Sequence, residues 1–232
     1  MADPDHLKML RQGFEAWNAW RDPDITPDLN GADLSGENLY GANLCGVNLI
    51  KANLSRALVG GSDLTRADLK HADLSRAVLS YSDLMEANLN GANLSGANLS
   101  GANLSGAHLR AANLSRANLS GARFVGANLV EANLNGADLR RAYLAYAILV
   151  DADLTGADLT GCRIYGASAW NVKLSGGTRQ QDLVITVENE PEITVDNIEV
   201  AQFIYLMLNN QKIREVIDTA RQRNCSASSV IE

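Results

Sequence analysis

Leucine recurs at every fifth position from Leu34 onward, through Leu39, Leu44, Leu49 and Leu54. The register holds without a break to Leu174, with only Val59, Phe124, Ile164 and Ala169 standing in its place. Two residues ahead of it sits a small or apolar residue. This is Ala in most units, with Val47, Ser62, Ser82, Cys162 and Val172 as substitutes, and Asn or Asp usually lies between the two. A period of five fits neither a helix, whose period is near 3.6, nor a flat strand, whose period is 2. On a helix these leucines would spread around the surface with no common face to bury. The glycines that close many units, such as Gly91, Gly96, Gly101 and Gly106, also disfavour a helix, at roughly 1 kcal/mol each relative to Ala. A coil with one unit per side makes every fifth residue equivalent.

The flanks follow other patterns. Residues 5–21 predict an amphipathic helix, with Leu7, Leu10, Phe14 and Trp17 on one face and with Pro23 and Pro27 beyond its end. This face is expected to cap the first coil, and Trp17 and Trp20 read as cap packing. Gly176 and Gly177 mark the end of the repeat. Two short strands, 183–187 and 193–195, are predicted around a turn at 188–192. Asp196 and Glu199 match a capping box at the head of a helix over 197–208 that is apolar on almost every side. Its Ile198, Phe203, Ile204 and Met207 are candidates for packing within the chain or across a dimer. A second helix is expected over 211–222.

The units A(D/N)LXX, as in GADLS GENLY GANLC, resemble the pentapeptide-repeat family over about 60% of the chain. The resemblance implies an all-β solenoid, a right-handed quadrilateral β-helix with four units to a square turn. Leu and the preceding Ala point inward, and side-chain ladders of Asn and Asp run up the faces. About seven coils at roughly 4.8 Å each make a tower about 34 Å tall. The organisation expected is a cap and linker over 1–28, the β-helix over 29–175, a hairpin connector over 176–195, a two-helix module over 196–222 and a disordered tail over 223–232. The stretch ITVDNIEVAQFIYLMLNNQKIREVIDT resembles a connector that precedes TIR-like or nucleotide-binding domains in larger bacterial proteins. The chain ends soon after it, so no downstream activity carries over.

Glu37 stands where the pattern puts an inward Ala. An unpaired buried carboxylate is costly, so the first coil is expected to be frayed or distorted there, letting the carboxylate reach water.

Counting in twenties assigns the outward residues to faces. One half of the tower is uniformly polar, with Asn53, Asp73, Asn93, Asn113, Asn133 and Asp153 in a column. The last coils of the other half collect Arg123, Val125, Tyr143, Tyr146, Ile148, Arg163, Tyr165 and Trp170. An apolar and aromatic patch of this kind signals contact. The chain's own C-terminal helices, a second copy or another protein could cover it.

Charge and candidate chemistry narrow the function. The net charge of −7 lies in the tails, because residues 31–175 hold 12 acidic and 12 basic side chains. Some family members bind DNA gyrase through an acidic, rod-shaped, DNA-like surface, and a near-neutral tower disfavours that reading. Arg140 and Arg141 are adjacent, but no basic stripe runs along the tower, so direct nucleic-acid binding is not expected. His6, His71 and His108 have no evident partners, and no GxSxG elbow, P-loop or GxGxxG occurs. Cys45, Cys162 and Cys225 are far apart and suggest neither a metal site nor a disulfide framework. The N-terminus carries no signal-peptide pattern, and no apolar run approaches the roughly 20 residues of a membrane helix. The expectation is a cytoplasmic, bacterial, non-enzymatic binding scaffold without cofactor, acting through a protein partner.

Overall fold

The computed structural model describes residues 1–22, 24–187 and 189–211. Each unit of the repeat builds one side and one corner of the coil. At the corner the amide of the next small residue folds back onto the inward Leu, as where Ala97 N donates to Leu94 O at 3.0 Å. The residue before that amide takes a left-handed φ, +65° at Gly96 and +57° at Arg116. An i to i+3 bond with positive φ at the third residue is a type II turn, the turn that prefers glycine there. Between corners the amides reach the neighbouring coils. Leu94 N donates to Asn113 O at 2.7 Å, and Asn93 N donates to Ala72 O at 2.9 Å.

Paired positions lie twenty residues apart and run parallel, as in Asn93 with Asn113. Four units therefore complete a turn, and each side contributes a single bridging residue rather than a long strand. The inward column of Leu and Ala is sealed from solvent. Each buried Leu contributes about 1.5–3 kcal/mol, realised only with a coil above and below. The outward Asn or Asp has two local tasks. Its side chain accepts from the amide two residues on, as Asn113 Oδ1 does from Ser115 N at 3.1 Å. It also joins the next coil, as where Asn93 Nδ2 donates to Asp73 Oδ1 at 3.0 Å.

The helix expected over 5–21 is two helices, α1 (Pro4–Leu10) and α2 (Phe14–Trp20). Gly13, with φ +103°, starts the second helix and lets the pair fold over the first coil. Leu10 and Trp17 are buried there, Leu7 is half-buried, and Phe14 remains 40% exposed beside Gly41. The cap also answers backbone groups that the first coil leaves without a neighbour. Trp17 Nε1 donates to Asn43 O at 2.7 Å, and Arg21 Nη2 donates to Cys45 O at 2.7 Å. Pro23, expected to break the helix, lies outside the described residues.

The first coil is regular at Glu37, against the expectation of fraying. Glu37 N donates to Leu34 O at 3.2 Å, and its neighbour Asn38 bridges Leu58. No coil lies below it, so the carboxylate reaches solvent and faces Arg11 Nε at 3.7 Å.

The ladder does not stop at 175. It continues through Asp158 with Arg179 and Arg163 with Val184, now twenty-one residues apart. Ser175, Gly176 and Gly177 absorb the extra residue, and Thr178 takes the next inward corner, donating its hydroxyl to Leu154 O at 2.9 Å. Only then does β1 (Leu183–Val184) pair antiparallel with β2 (Thr194–Val195), a shorter hairpin than the sequence predicts. Helix α3 (Ile198–Asn209) begins at Asn197, whose side chain accepts from Val200 N. The expected cap residue, Asp196, instead accepts from Asp182 N at 2.9 Å. The helix expected over 211–222, beyond its first residue, and the tail over 223–232 with Cys225 lie outside the described residues.

Candidate protein-contact surface

The repeat sets a reference for every outward position. At the middle of each side, Asn or Asp secures the following turn, and another residue there gives up that bond. Arg123, Tyr143, Ile148 and Arg163 are four such departures on the upper coils.

Arg123, Tyr143 and Arg163 stack in one column, joined by consecutive bridges. The Tyr143 ring lies between two guanidiniums, 5.1 Å from Arg123 Cζ and 5.8 Å from Arg163 Cζ. Arg163 also pairs with Glu192 of the loop before β2. Around the adjoining corner, Tyr165 is held edge-on between Tyr146, 5.6 Å away, and Tyr205 of α3, 5.1 Å away. Both contacts have the near-perpendicular geometry that aromatic pairs favour. Loss of hydration, then the neighbouring Tyr165 and Tyr205, hold the Tyr146 hydroxyl above the ordinary phenol range.

The candidates thus divide. Val125, Tyr143, Arg163 and Tyr165 are half-buried in these stacks, and Arg123 stays exposed beside its tyrosine. Tyr146, Ile148 and Trp170 are 50%, 38% and 56% exposed. Helix α3 meets this region at Tyr165 and at the Ala169 amide, and leaves Ile148 and Trp170 exposed. On α3 itself, Ile198 is buried against the tower, Ile204 and Met207 are half-buried, and Phe203 is 60% exposed.

Sequence reasoning missed Tyr205 and Glu192, which tie the C-terminal module to the patch. It also missed a second group of departures on the lower coils, Leu58 and Val78, although these break the middle-of-side rule just as Ile148 does. Among the described residues no cluster of three or more His, Cys, Asp and Glu could hold a metal ion. No helix among them is long and apolar enough to cross a membrane.

The model of the family described as pentapeptide repeats matches residues 28–61, 62–101, 102–141 and 137–176, in eight copies. A comparison with curated proteins finds no match. Among solved structures, a trypsin-treated form of QnrB1, a plasmid-mediated fluoroquinolone resistance protein, is similar with a TM-score of 0.57 and 27% identity. That likeness covers 65% of this chain and 78% of the other. Full-length QnrB1 gives a TM-score of 0.55 and 25% identity, over 64% of this chain and 80% of that one. HetL of the cyanobacterium Nostoc sp. strain PCC 7120, a pentapeptide-repeat protein involved in regulating heterocyst differentiation, is 31% identical over 76% of this chain and 96% of its own, with a TM-score of 0.34. The regular five-residue coil and the family match along it agree: this chain belongs to the pentapeptide-repeat family and has that family's fold, a right-handed quadrilateral β-helix.

Proposed function

We propose that the chain is a non-enzymatic protein-interaction scaffold whose upper coils dock a protein partner. One observation carries the reading. Tyr143, fixed between two arginines, shares its rigid coils with the exposed Tyr146, Ile148 and Trp170. Tyr, Trp and Arg are the residue types that dominate binding energy at interfaces, and holding them in place before binding lowers the entropy cost. A photo-crosslinking residue at Trp170 tests this. One defined adduct is expected, lost when Tyr143→Asn and Ile148→Asn restore the repeat residue. Labelling no stronger than from the polar face at Asn113 would sink it.

A second copy could use α3, which leaves Val200, Phe203 and Leu208 exposed. Light scattering on the intact chain and on Phe203→Glu tests self-association through that helix.

A second reading, a DNA-mimicking modulator of DNA gyrase, is favoured by the likeness to QnrB1. The balance of 12 acidic and 12 basic side chains over residues 31–175 speaks against it, because a polyanion mimic needs its charge along the tower. A supercoiling assay with a fluoroquinolone, in which this protein gives no protection, is the expected result.

A further inference from the structure

We infer that the lower coils carry a separate docking surface for an extended acidic segment with alternating apolar side chains. It lies toward the opposite end of the tower from the upper patch and does not depend on it.

Six residues of consecutive coils define it: Tyr40, Arg56, Leu58, Arg76, Val78 and Tyr81. Leu58 and Val78 pair as neighbours in the middle of one side. Asn or Asp there would hold the following turn, so both residues forgo a bond worth about 0.5–1.5 kcal/mol. Leu58 is nonetheless 45% exposed, and burial does not explain the exchange. Arg56 and Arg76 stand at the corner that enters this side, with left-handed φ of +60° and +58° where glycine is the unstrained choice. The sequence therefore departs from its own repeat at two neighbouring positions of one side, Leu58 and Val78, and flanks them with arginine at corners where glycine would relieve the left-handed φ.

The far edge of the same side is aromatic. Tyr40 lies over Gly60 and Gly61, its ring within 3.5–3.7 Å of where a Cβ on either would sit. Tyr81 lies so closely over Gly101 that a Cβ there would meet the ring at 2.7 Å. Both rings are seated on glycines yet remain 62% and 78% exposed. The result is a flat strip with cations on one edge, aliphatics in the middle and seated tyrosines on the other.

Charge names the occupant. Six other arginines of the described residues sit against carboxylates: Arg11, Arg66, Arg110, Arg140, Arg163 and Arg179. The side chains of Arg56 and Arg76, like those of Arg116 and Arg141, are exposed and make no ion pair or hydrogen bond among the described residues, and Arg56 and Arg76 are the two that flank this side. Guanidiniums about 4.8 Å apart along the tower axis suit carboxylates on an extended chain, whose like-facing side chains recur about every 6.8 Å, within the reach of two flexible arginines. Leu58 and Val78 suit aliphatic or aromatic side chains between those acids, which a phosphate backbone does not offer.

The test uses fluorescence anisotropy on the intact chain. The probes are labelled nine-residue peptides that alternate Asp or Glu with Leu or Phe, the same peptides with Lys in place of each acid, and a twelve-nucleotide single-stranded DNA. Saturable binding of the acidic set is expected, weakening as salt rises. It should fall at least tenfold with Arg56→Gly plus Arg76→Gly, and likewise with Leu58→Asn plus Val78→Asn. Those changes restore the repeat's own residues, and thermal unfolding checks that they fold. The upper-patch variant Tyr143→Asn plus Ile148→Asn should bind as the parent does. No binding of the acidic peptides, equal binding of the lysine peptides, tighter binding of the DNA, or unaltered binding by the restored variants would each overturn the inference. Loss of binding in the upper-patch variant alone would overturn it too and move the contact to the first surface.

Discussion

The side-chain amide of Asn18 takes the place of a peptide group against Asn43. Asn18 Oδ1 accepts from Asn43 N at 2.7 Å, and Asn18 Nδ2 donates to Gly41 O at 3.0 Å. In the body of the tower an amide at this position is answered by the preceding coil, as Asp63 N is by Ala42 O, and the first coil has none. A sheet edge that presents unpaired amides and carbonyls is a template for another chain. Asn18→Leu removes both bonds and should cost about 0.5–1.5 kcal/mol in chemical denaturation, chiefly from the Asn43 amide left without its partner. Asn18→Asp keeps the acceptor and sets a carboxylate against the Gly41 carbonyl, so it should fall between Asn18→Leu and the parent.

Gln202 has the matching role at the other end. Its Oε1 accepts from Ala169 N at 2.8 Å, while its buried Nε2 has no hydrogen-bond partner. Ala169 replaces Leu in the inward column and leaves room for the helix. Gln202→Met should release the Ala169 amide to faster hydrogen exchange and loosen α3, with amides of the central coils unchanged. Equal protection of Ala169 in both proteins would contradict the assignment.

The five-residue register from Leu34 to Leu174 was plain in the sequence because every unit repeats the same local chemistry. What followed Leu174 was not, because Thr178, Gln180 and Leu183 do not spell the repeat even though the backbone keeps to it. A single inserted residue at the glycines hides the register from a count in fives. The amide caps were equally hidden. Asn18 and Gln202 are lone polar residues on amphipathic helices, and only the backbone groups opposite them give them meaning. The upper patch was legible as a list of departures, but its two stacks depend on Tyr205 and Glu192, which arrive from outside the repeat.

Corner positions predict an asymmetry between substitutions. Arg116 has φ +57°, so Arg116→Gly should leave stability unchanged or raise it by up to about 1 kcal/mol, as relief of the left-handed conformation offsets lost chain stiffness. Gly101→Ala should lower stability by about 1–2 kcal/mol from the same φ preference. The Tyr81 ring, 2.7 Å from the new Cβ, adds to that cost, so Tyr81→Ala should recover part of it. Thermal unfolding of the two single variants and the pair measures the coupling.

Cys162 gives a pH signature. Its thiol is sealed in the core and donates to Leu139 O at 2.9 Å, and burial pushes its pKa from 9.0 up to about 12. The folded protein holds this proton where the unfolded chain has lost it. The contribution of Cys162 is therefore complete below pH 9 and falls as the pH rises toward 12. Cys162→Ala should flatten the alkaline arm of the stability curve, and a thiol reagent at pH 8 should label Cys45 well before Cys162. Equal labelling of the two in the native protein would count against this.

Since each coil from Asp28 to Lys173 pairs with the coil twenty residues away, distance on this part of the molecule comes in whole steps. Duplicating one twenty-residue turn between the lower strip and the upper patch would move them apart by one rung, about 4.8 Å, without altering their relative bearing. Duplicating a single five-residue unit would instead swing one of them a quarter-turn around the axis. The separation and the angle between two bound proteins are thus written in the gene as integers, and tandem duplication is the operation that edits them.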